Sequence, residues 1–342
     1  MKVFFIYAGK SGSNLECALA LHELAKSRGV ESEVVLSEDN GRKEKVQGIC
    51  PHAQFCNFFS PLQVAKLRGR LKGGVAFFTM ISPKIAPLYF SLRSKKAFYF
   101  HATYDHSYDR MGLGAIALEM LQDALIRGAD ASYATQHPLA WQIKFRLGKE
   151  AGVLPHPPYS PIKGEFFGEE KEVEGVPKDY FLGFGGLERF SKGTDVLLKA
   201  VEGTKLPLVL AGKRENVRAG GNVVHINRWV EDEELYWLVK NCRAVVLPYL
   251  VSSQFSGCLA LAFRFGKPVI APLCPAFGEL VEEGRTGWLF AQGDWESLRE
   301  KMLIAARWKG ESMEKAIRQK EMEMEKRTAD CIEEIARSLK GK

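Results

Sequence analysis

The sequence predicts two α/β domains, each built on a parallel sheet covered by helices on both faces. Three observations predict it. The 342 residues leave room for two domains at about 150 residues each. Short apolar runs alternate with stretches of helical spacing, the order that feeds parallel strands through crossover helices. The alternation stops at a proline-rich, charged segment and then restarts, each half opening with a strand, a Gly-rich turn and a helix. Such halves are Rossmann-like.

In the first half, Val3 to Ala8 is apolar on both faces and reads as a buried strand. A Gly/Ser loop follows, and then Leu15, Leu19, Leu21 and Leu24 at helical spacing place a helix over Asn14 to Ser27. Further strands are expected at Glu33 to Leu36, Val75 to Ile81, Ala97 to His101 and Ala131 to Ala134. The helices between them are Leu62 to Leu71, Lys84 to Leu92, Ile116 to Arg127 and Leu139 to Leu147. Pro155, Pro157, Pro158 and Pro161 and the charged stretch Glu165 to Glu174 break this pattern and read as a linker, since proline removes a donor. The second half gives strands Tyr180 to Phe184, Leu208 to Ala211, Val223 to Ile226, Ala244 to Pro248 and Pro268 to Ala271. Its helices are Gly193 to Val201, Asp232 to Asn241 and Gly257 to Phe265; Lys309 to Lys342 is one long charged helical stretch, with a possible break at Arg327-Thr328. The expected boundaries are a domain over 1–160, a linker over 161–177, a second domain over 178–325, and a terminal helix over 326–342 packing back toward the first domain.

Composition excludes several classes. With 46% hydrophobic and 26% charged residues the chain is neither disordered nor fibrous, and no apolar run reaches the ~18 residues of a membrane span. The apolar run after Lys2 is too short for a signal peptide. Seven cysteines without metal-ligand spacing read as buried thiols in a reducing cytoplasm. No zinc pattern, helix-turn-helix signal or aromatic RNP-like strand points to nucleic acid. The net charge of +7 lies wholly in the first 160 residues, and the remainder is neutral. Lys66, Arg68, Arg70 and Lys72, and again Arg93, Lys95 and Lys96, stand beside Phe58, Phe59, Leu62, Leu67, Leu71, Tyr89, Phe90 and Phe98. Such a face either rests on anionic lipid at the inner side of a membrane or is simply solvated.

The most informative segment is Gly183-Phe-Gly-Gly-Leu-Glu-Arg189-Phe-Ser-Lys192-Gly193. Glycines after a strand let backbone approach a phosphate, and a helix start offers free N–H groups. Arg189 adds a fork and Lys192 a point charge; the plain alternative is a tight turn with two solvated cations. A second segment, Leu247 to Leu259, runs through Ser252-Ser253-Gln254-Phe255-Ser256-Gly257 into an apolar helix for which Ser256 is the expected N-cap.

These segments, in this order, resemble the donor domain of the GT-B glycosyltransferases, in particular glycosyltransferase family 4. The resemblance rests on Gly185-Gly186, Arg189, Lys192-Gly193, Leu208 to Gly212, Asp232 to Leu235, Val246 to Tyr249, Ser253 to Gly257, Gly266 to Ile270, Gly278 to Val281 and Glu283 to Trp288. It covers about residues 178 to 305. It implies the GT-B architecture, two Rossmann-like domains facing a central cleft, and a nucleoside diphosphate sugar as donor. Arg189, Lys192, Ser256 and Gly257 would then hold the diphosphate, and Ser253, Gln254 and Glu279 the sugar or ribose. Much of the family carries a pair of glutamates whose counterparts here, counted back from Gly266, are Ser253 and Leu261. Neither side chain is a carboxylate, so this chain looks like a Ser-Gln-Ser-Gly variant.

The resemblance implies that Gly9, Ser11 and Gly12 form a loop over the cleft, though a plain turn capped by Ser13 or Asn14 fits the same residues. His101 ends a buried strand, where a satisfied core histidine is the ordinary reading; the resemblance makes it the catalytic candidate near the transferred sugar, with Asp105 and His106 secondary. No D-x-D occurs. The resemblance thus implies a glycosyltransferase that retains anomeric configuration and acts on a glycan or lipid-linked acceptor, and the missing D-x-D agrees with chemistry without metal or other cofactor. The alternative is a non-catalytic protein of the same fold that binds a nucleotide sugar or glycan as a partner subunit.

Overall fold

A computed structural model describes residues 2–9, 14–80, 82–101, 113–217, 221–251, 256–308 and 312–340. The chain forms two compact units, Met1–Phe166 with Glu323–Lys342, and Phe167–Met322.

The first unit holds seven parallel strands: β1 (Val3–Tyr7), β2 (Ser32–Ser37), β3 (Gln54–Cys56), β4 (Val75–Phe78), β5 (Lys95–Phe100), β6 (Ala131–Ala134) and β7 (Gly152–Val153). Their order in the sheet is β3-β2-β1-β4-β5-β6-β7. One face is covered by helices Pro61–Arg70, Ala86–Ser91, Leu113–Gly128 and His137–Leu147, which bury Phe4, Ile6, Phe78, Phe98 and Phe100. The other face buries Val3, Phe5, Phe77 and Tyr99 under helix Asn14–Ser27 and under Ala329, Ile332, Ile335 and Leu339 of the C-terminal helix. That helix runs unbroken from Ser312 to Lys340. The expected break at Arg327-Thr328 is absent because Thr328 is buried and reaches the Pro155 carbonyl, so its polarity is satisfied inside the unit.

The second unit repeats the arrangement with β8 (Phe181–Phe184), β9 (Leu208–Ala211), β10 (Val223–Ile226), β11 (Ala244–Val246), β12 (Val269–Pro272) and β13 (Gly287–Phe290), ordered β10-β9-β8-β11-β12-β13 and all parallel. In each unit the order reverses beside the first strand, at β1/β4 and at β8/β11. Ligands of doubly wound sheets bind outside the carboxyl ends of strands at such a switch point.

Several elements differ from the expected ones for local reasons. β3 and β7 are edge strands of three and two residues, too short to show a period. β13 begins at Gly287, where a Cβ would lie 2.0 Å from the Val269 carbonyl oxygen, so close strand approach needs glycine there. Helix Trp295–Arg307 starts at Asp294, whose carboxylate accepts from the Glu296 and Ser297 N–H groups. The strand expected over Val75 to Ile81 ends at Phe78 because Thr79 turns both its N–H and its hydroxyl onto the Ile6 carbonyl. The proline-rich segment is packed: Tyr159, Ile162 and Phe166 are buried in the first unit, and Phe167 packs on Tyr236 and Phe265 in the second. Of the seven free thiols four are buried and three half-buried. Among the described residues no helix is long and apolar enough to cross a membrane.

Candidate functional site

The carboxyl ends of β8 and β11 carry the residues with anion-binding chemistry. After β8 the chain turns at Gly185 and Gly186, with φ of 75° and 57°, a left-handed conformation that glycine adopts without strain. A short 3-10 turn, Phe190–Lys192, follows, and Gly193 (φ 64°) ends it and opens helix Thr194–Val201. A Cβ on Gly193 would lie 1.9 Å from the Pro248 carbonyl oxygen, so this turn is pressed onto the segment leaving β11. The Leu250 N–H donates to the Ser191 carbonyl at 2.9 Å and ties the same two segments.

Lys192 places its ammonium 3.8 Å from the centre of the Tyr249 ring. The Tyr249 hydroxyl meets Ser256 Oγ at 3.0 Å, and Ser256 is the residue before helix Gly257–Arg264. This corrects one expectation. Ser256 occupies the N-cap position, but its hydroxyl makes no capping bond, because Tyr249 engages it. Burial raises the Tyr249 hydroxyl well above its usual range, so it stays neutral and anchors the helix start. A Cβ on Gly185 would touch Cys258 Sγ at 3.5 Å, so the glycine turn faces that helix start directly. Arg189 is exposed, with its stem 3.4 Å from the Cβ position of Gly186, and its charge acts on Tyr249.

Residues that the sequence did not single out hold this frame. Arg214 donates to the Leu187 carbonyl at 2.6 Å and pairs with Asp195, and Thr194 donates to the same carbonyl at 2.9 Å. Gln292 donates to the Tyr249 and Leu250 carbonyls. None of these contacts has a local spacing in the sequence. Arg228 forms a two-pronged pair with Glu234, which holds that carboxyl below its usual range. Glu279 is exposed just after the short helix Pro275–Gly278 that follows β12. Leu261 is buried in the helix core. Ser253 and Gln254 lie outside the described residues, as do Ser11, Gly12, Asp105 and His106.

In the first unit Gly9 lies just after β1, where a Cβ would meet the Tyr7 hydroxyl at 2.3 Å and where Asn40 donates to its carbonyl. His101 follows β5. Its Nε2 is buried and unpartnered, and its ring lies against Tyr99 (4.6 Å) and His156 (5.2 Å). Burial lowers it to about 4, so at neutral pH it is an uncharged imidazole.

Residues 178–307, which contain every part of the β8/β11 frame, match the family described as Glycosyl transferases group 1. The second unit carries a group 1 glycosyl transferase domain. The O-antigen chain mannosyltransferase C of Escherichia coli is 36% identical over 107 residues, 29% of this chain and 29% of that protein. The matched region thus spans less than a third of that curated relative. The whole chain superposes on Anabaena HepE, solved with UDP and glucose, with a TM-score of 0.69 at 16% identity over 100% of both chains. Sucrose-phosphate synthase of Thermosynechococcus elongatus gives 0.68 at 15%, over 100% of this chain and 99% of that one. The fold is that of the GT-B glycosyltransferases, and the group 1 domain supplies its β8/β11 switch point.

Proposed function

We propose that this protein transfers a hexose from a nucleoside diphosphate sugar to a glycan or lipid-linked acceptor, retaining anomeric configuration. The observation that carries this reading is the β8/β11 frame: the Lys192-Gly193 turn pressed onto Pro248, with the glycine turn facing the start of helix Gly257–Arg264. A diphosphate leaving from the sugar carries developing negative charge. Arg189 meets it with a planar fork, Lys192 with a point charge, and the helix start with the positive end of its dipole. In this scheme those groups do the work that a divalent cation does in D-x-D enzymes. Glu279, Ser253 and Gln254 are assigned to the sugar or ribose hydroxyls. The relatives support the substrate class, since one is named a mannosyltransferase and another was solved with UDP and glucose.

The acceptor half is proposed to rest on anionic membrane. Phe59, Leu62 and Phe90 are 67, 66 and 60% exposed, and helices Pro61–Arg70 and Ala86–Ser91, beside or within which they lie, pack together. Lys66, Arg68, Arg70, Lys72 and Arg93 are exposed beside them. The face is narrower than the sequence implied, because Phe58, Leu67, Leu71, Tyr89 and Phe98 are core residues. Lys95 and Lys96 are also engaged, with the Leu339 and Leu92 carbonyls.

Donor hydrolysis by the purified protein, followed across a panel of nucleotide sugars, tests the catalytic reading. The expected result is turnover of one donor that falls about 10²- to 10³-fold in Arg189→Ala and in Lys192→Ala, the loss typical of one charge-stabilising donor. Tight donor binding without turnover for any donor or acceptor would replace the enzyme by a binding subunit.

A further inference from the structure

We propose that Cys17, His101 and His156 form a zinc site inside the first unit. The three residues come from separate elements: helix Asn14–Ser27, the end of β5, and the proline segment after β7. Their ligand atoms all lie within 4.8 Å of one another. Tetrahedral zinc, with Zn–N near 2.0–2.1 Å and Zn–S near 2.3 Å, needs about 3.5 Å between ligand atoms. A closure of about 1 Å, within the reach of small χ rotations, therefore completes the set.

The hydrogen bonding around the rings has the form of a metal site. Nδ1 of His156 lies 2.8 Å from the Pro157 carbonyl oxygen; a carbonyl only accepts, so Nδ1 holds the proton and Nε2 the lone pair. The Thr79 backbone hydrogen-bonds the His101 ring, and Nε2 of that ring is buried without a partner. Backbone carbonyls fixing the tautomer of ligating histidines are the usual outer support of such sites. The Tyr99 hydroxyl is a second buried and unpartnered atom, and it interacts electrostatically with Cys17. A buried polar atom without a partner costs free energy, and a bound ion would relieve that cost at the ring nitrogen. One sulfur and two imidazole nitrogens select zinc rather than magnesium or calcium. The fourth position falls to a water or to the Tyr99 hydroxyl.

Burial holds both rings neutral, which is the ligating form, and keeps the Cys17 thiol protonated in the metal-free chain. On binding, the thiol loses its proton to solvent and the sulfur lone pair bonds the ion, so uptake weakens as pH falls. The site is separate from the diphosphate frame of the second unit, and it does not depend on the proposed transfer reaction. It gives His101 a structural role, clipping β5 to the first helix and the proline segment.

Metal analysis of the full chain after growth with added zinc tests the site. About one zinc per chain is expected in the wild type, with strong loss in Cys17→Ser and in His156→Gln. Chelation of the wild type should lower its Tm, and Co²⁺ added to the chelated protein should give a thiolate-to-cobalt charge-transfer band. The cobalt spectrum needs no variant, so it decides the matter even if the substitutions prevent folding. A wild type that holds no zinc and gives no such band overturns the proposal, as does equal zinc content in both folded variants.

Discussion

At residue scale the candidate site depends on one glycine more than on its cations. Arg189 and Lys192 are exposed and half-buried on a turn, whereas Gly193 has a carbonyl where a side chain would start. Gly193→Ala should therefore lower Tm and remove donor binding together, because the turn must lift away from Pro248. Gly203→Ala is the control: it shares a left-handed φ of 71° but has open space around it, so it should cost about 1 kcal/mol and leave donor binding intact. Equal donor affinity in the two variants would show that the close approach is irrelevant. A second residue-scale expectation concerns pH. Burial lowers His22 and His101 to about 4 and His156 well below its ordinary 6.5. The unfolded chain then binds more protons than the folded one between pH 6.5 and 4, so stability rises with pH across that window. The slope is about 1.4 kcal/mol per pH unit for each histidine. Thermal melts in chelator over this range should show the slope, and His22→Gln should reduce it; a flat profile would contradict neutral burial.

At the scale of elements, the C-terminal helix is the piece on which the first unit relies. Ala329, Ile332, Ile335 and Leu339 cover Phe5 and Phe77, on a face that they share with helix Asn14–Ser27. Ile332→Ala should cost about 2–5 kcal/mol in a denaturant titration, against less than about 0.5 kcal/mol for the exposed Met322→Ala. Equal costs would mean that the helix does not complete the core. The strands that the sequence made legible, such as Ala131–Ala134 and Leu208–Ala211, are apolar runs bounded by turns, and they appear at the expected residues. The edge strands β3 and β7 carry too few residues to show a pattern. The same division holds at the site. Gly185, Gly186, Arg189, Lys192 and Gly193 are contiguous and could be read as a motif. Tyr249 with Ser256, Arg214 with Leu187, and Cys17 with His101 and His156 are brought together only by tertiary packing, which leaves no spacing to read.

At the scale of the whole molecule, charge separates two tasks. From Lys45 to Tyr104 there is no Asp or Glu against nine Lys and Arg, whereas the second half is neutral, and the anion site proposed there relies on a few placed groups. If the basic surface docks on lipid at about 1 kcal/mol per cation, Arg68→Glu with Arg70→Glu should release the protein from anionic vesicles in co-sedimentation and leave donor hydrolysis unchanged. Equal binding to neutral and anionic vesicles would remove the membrane from the account. The central claim, that the β8/β11 frame of the group 1 domain holds a nucleoside diphosphate, is tested most directly by calorimetric titration with UDP, GDP and ADP. One of them should bind the wild type, with at least a 100-fold weaker affinity in the double variant Arg189→Ala, Lys192→Ala. Absence of binding by all three, or an unchanged affinity in that variant, would contradict the claim.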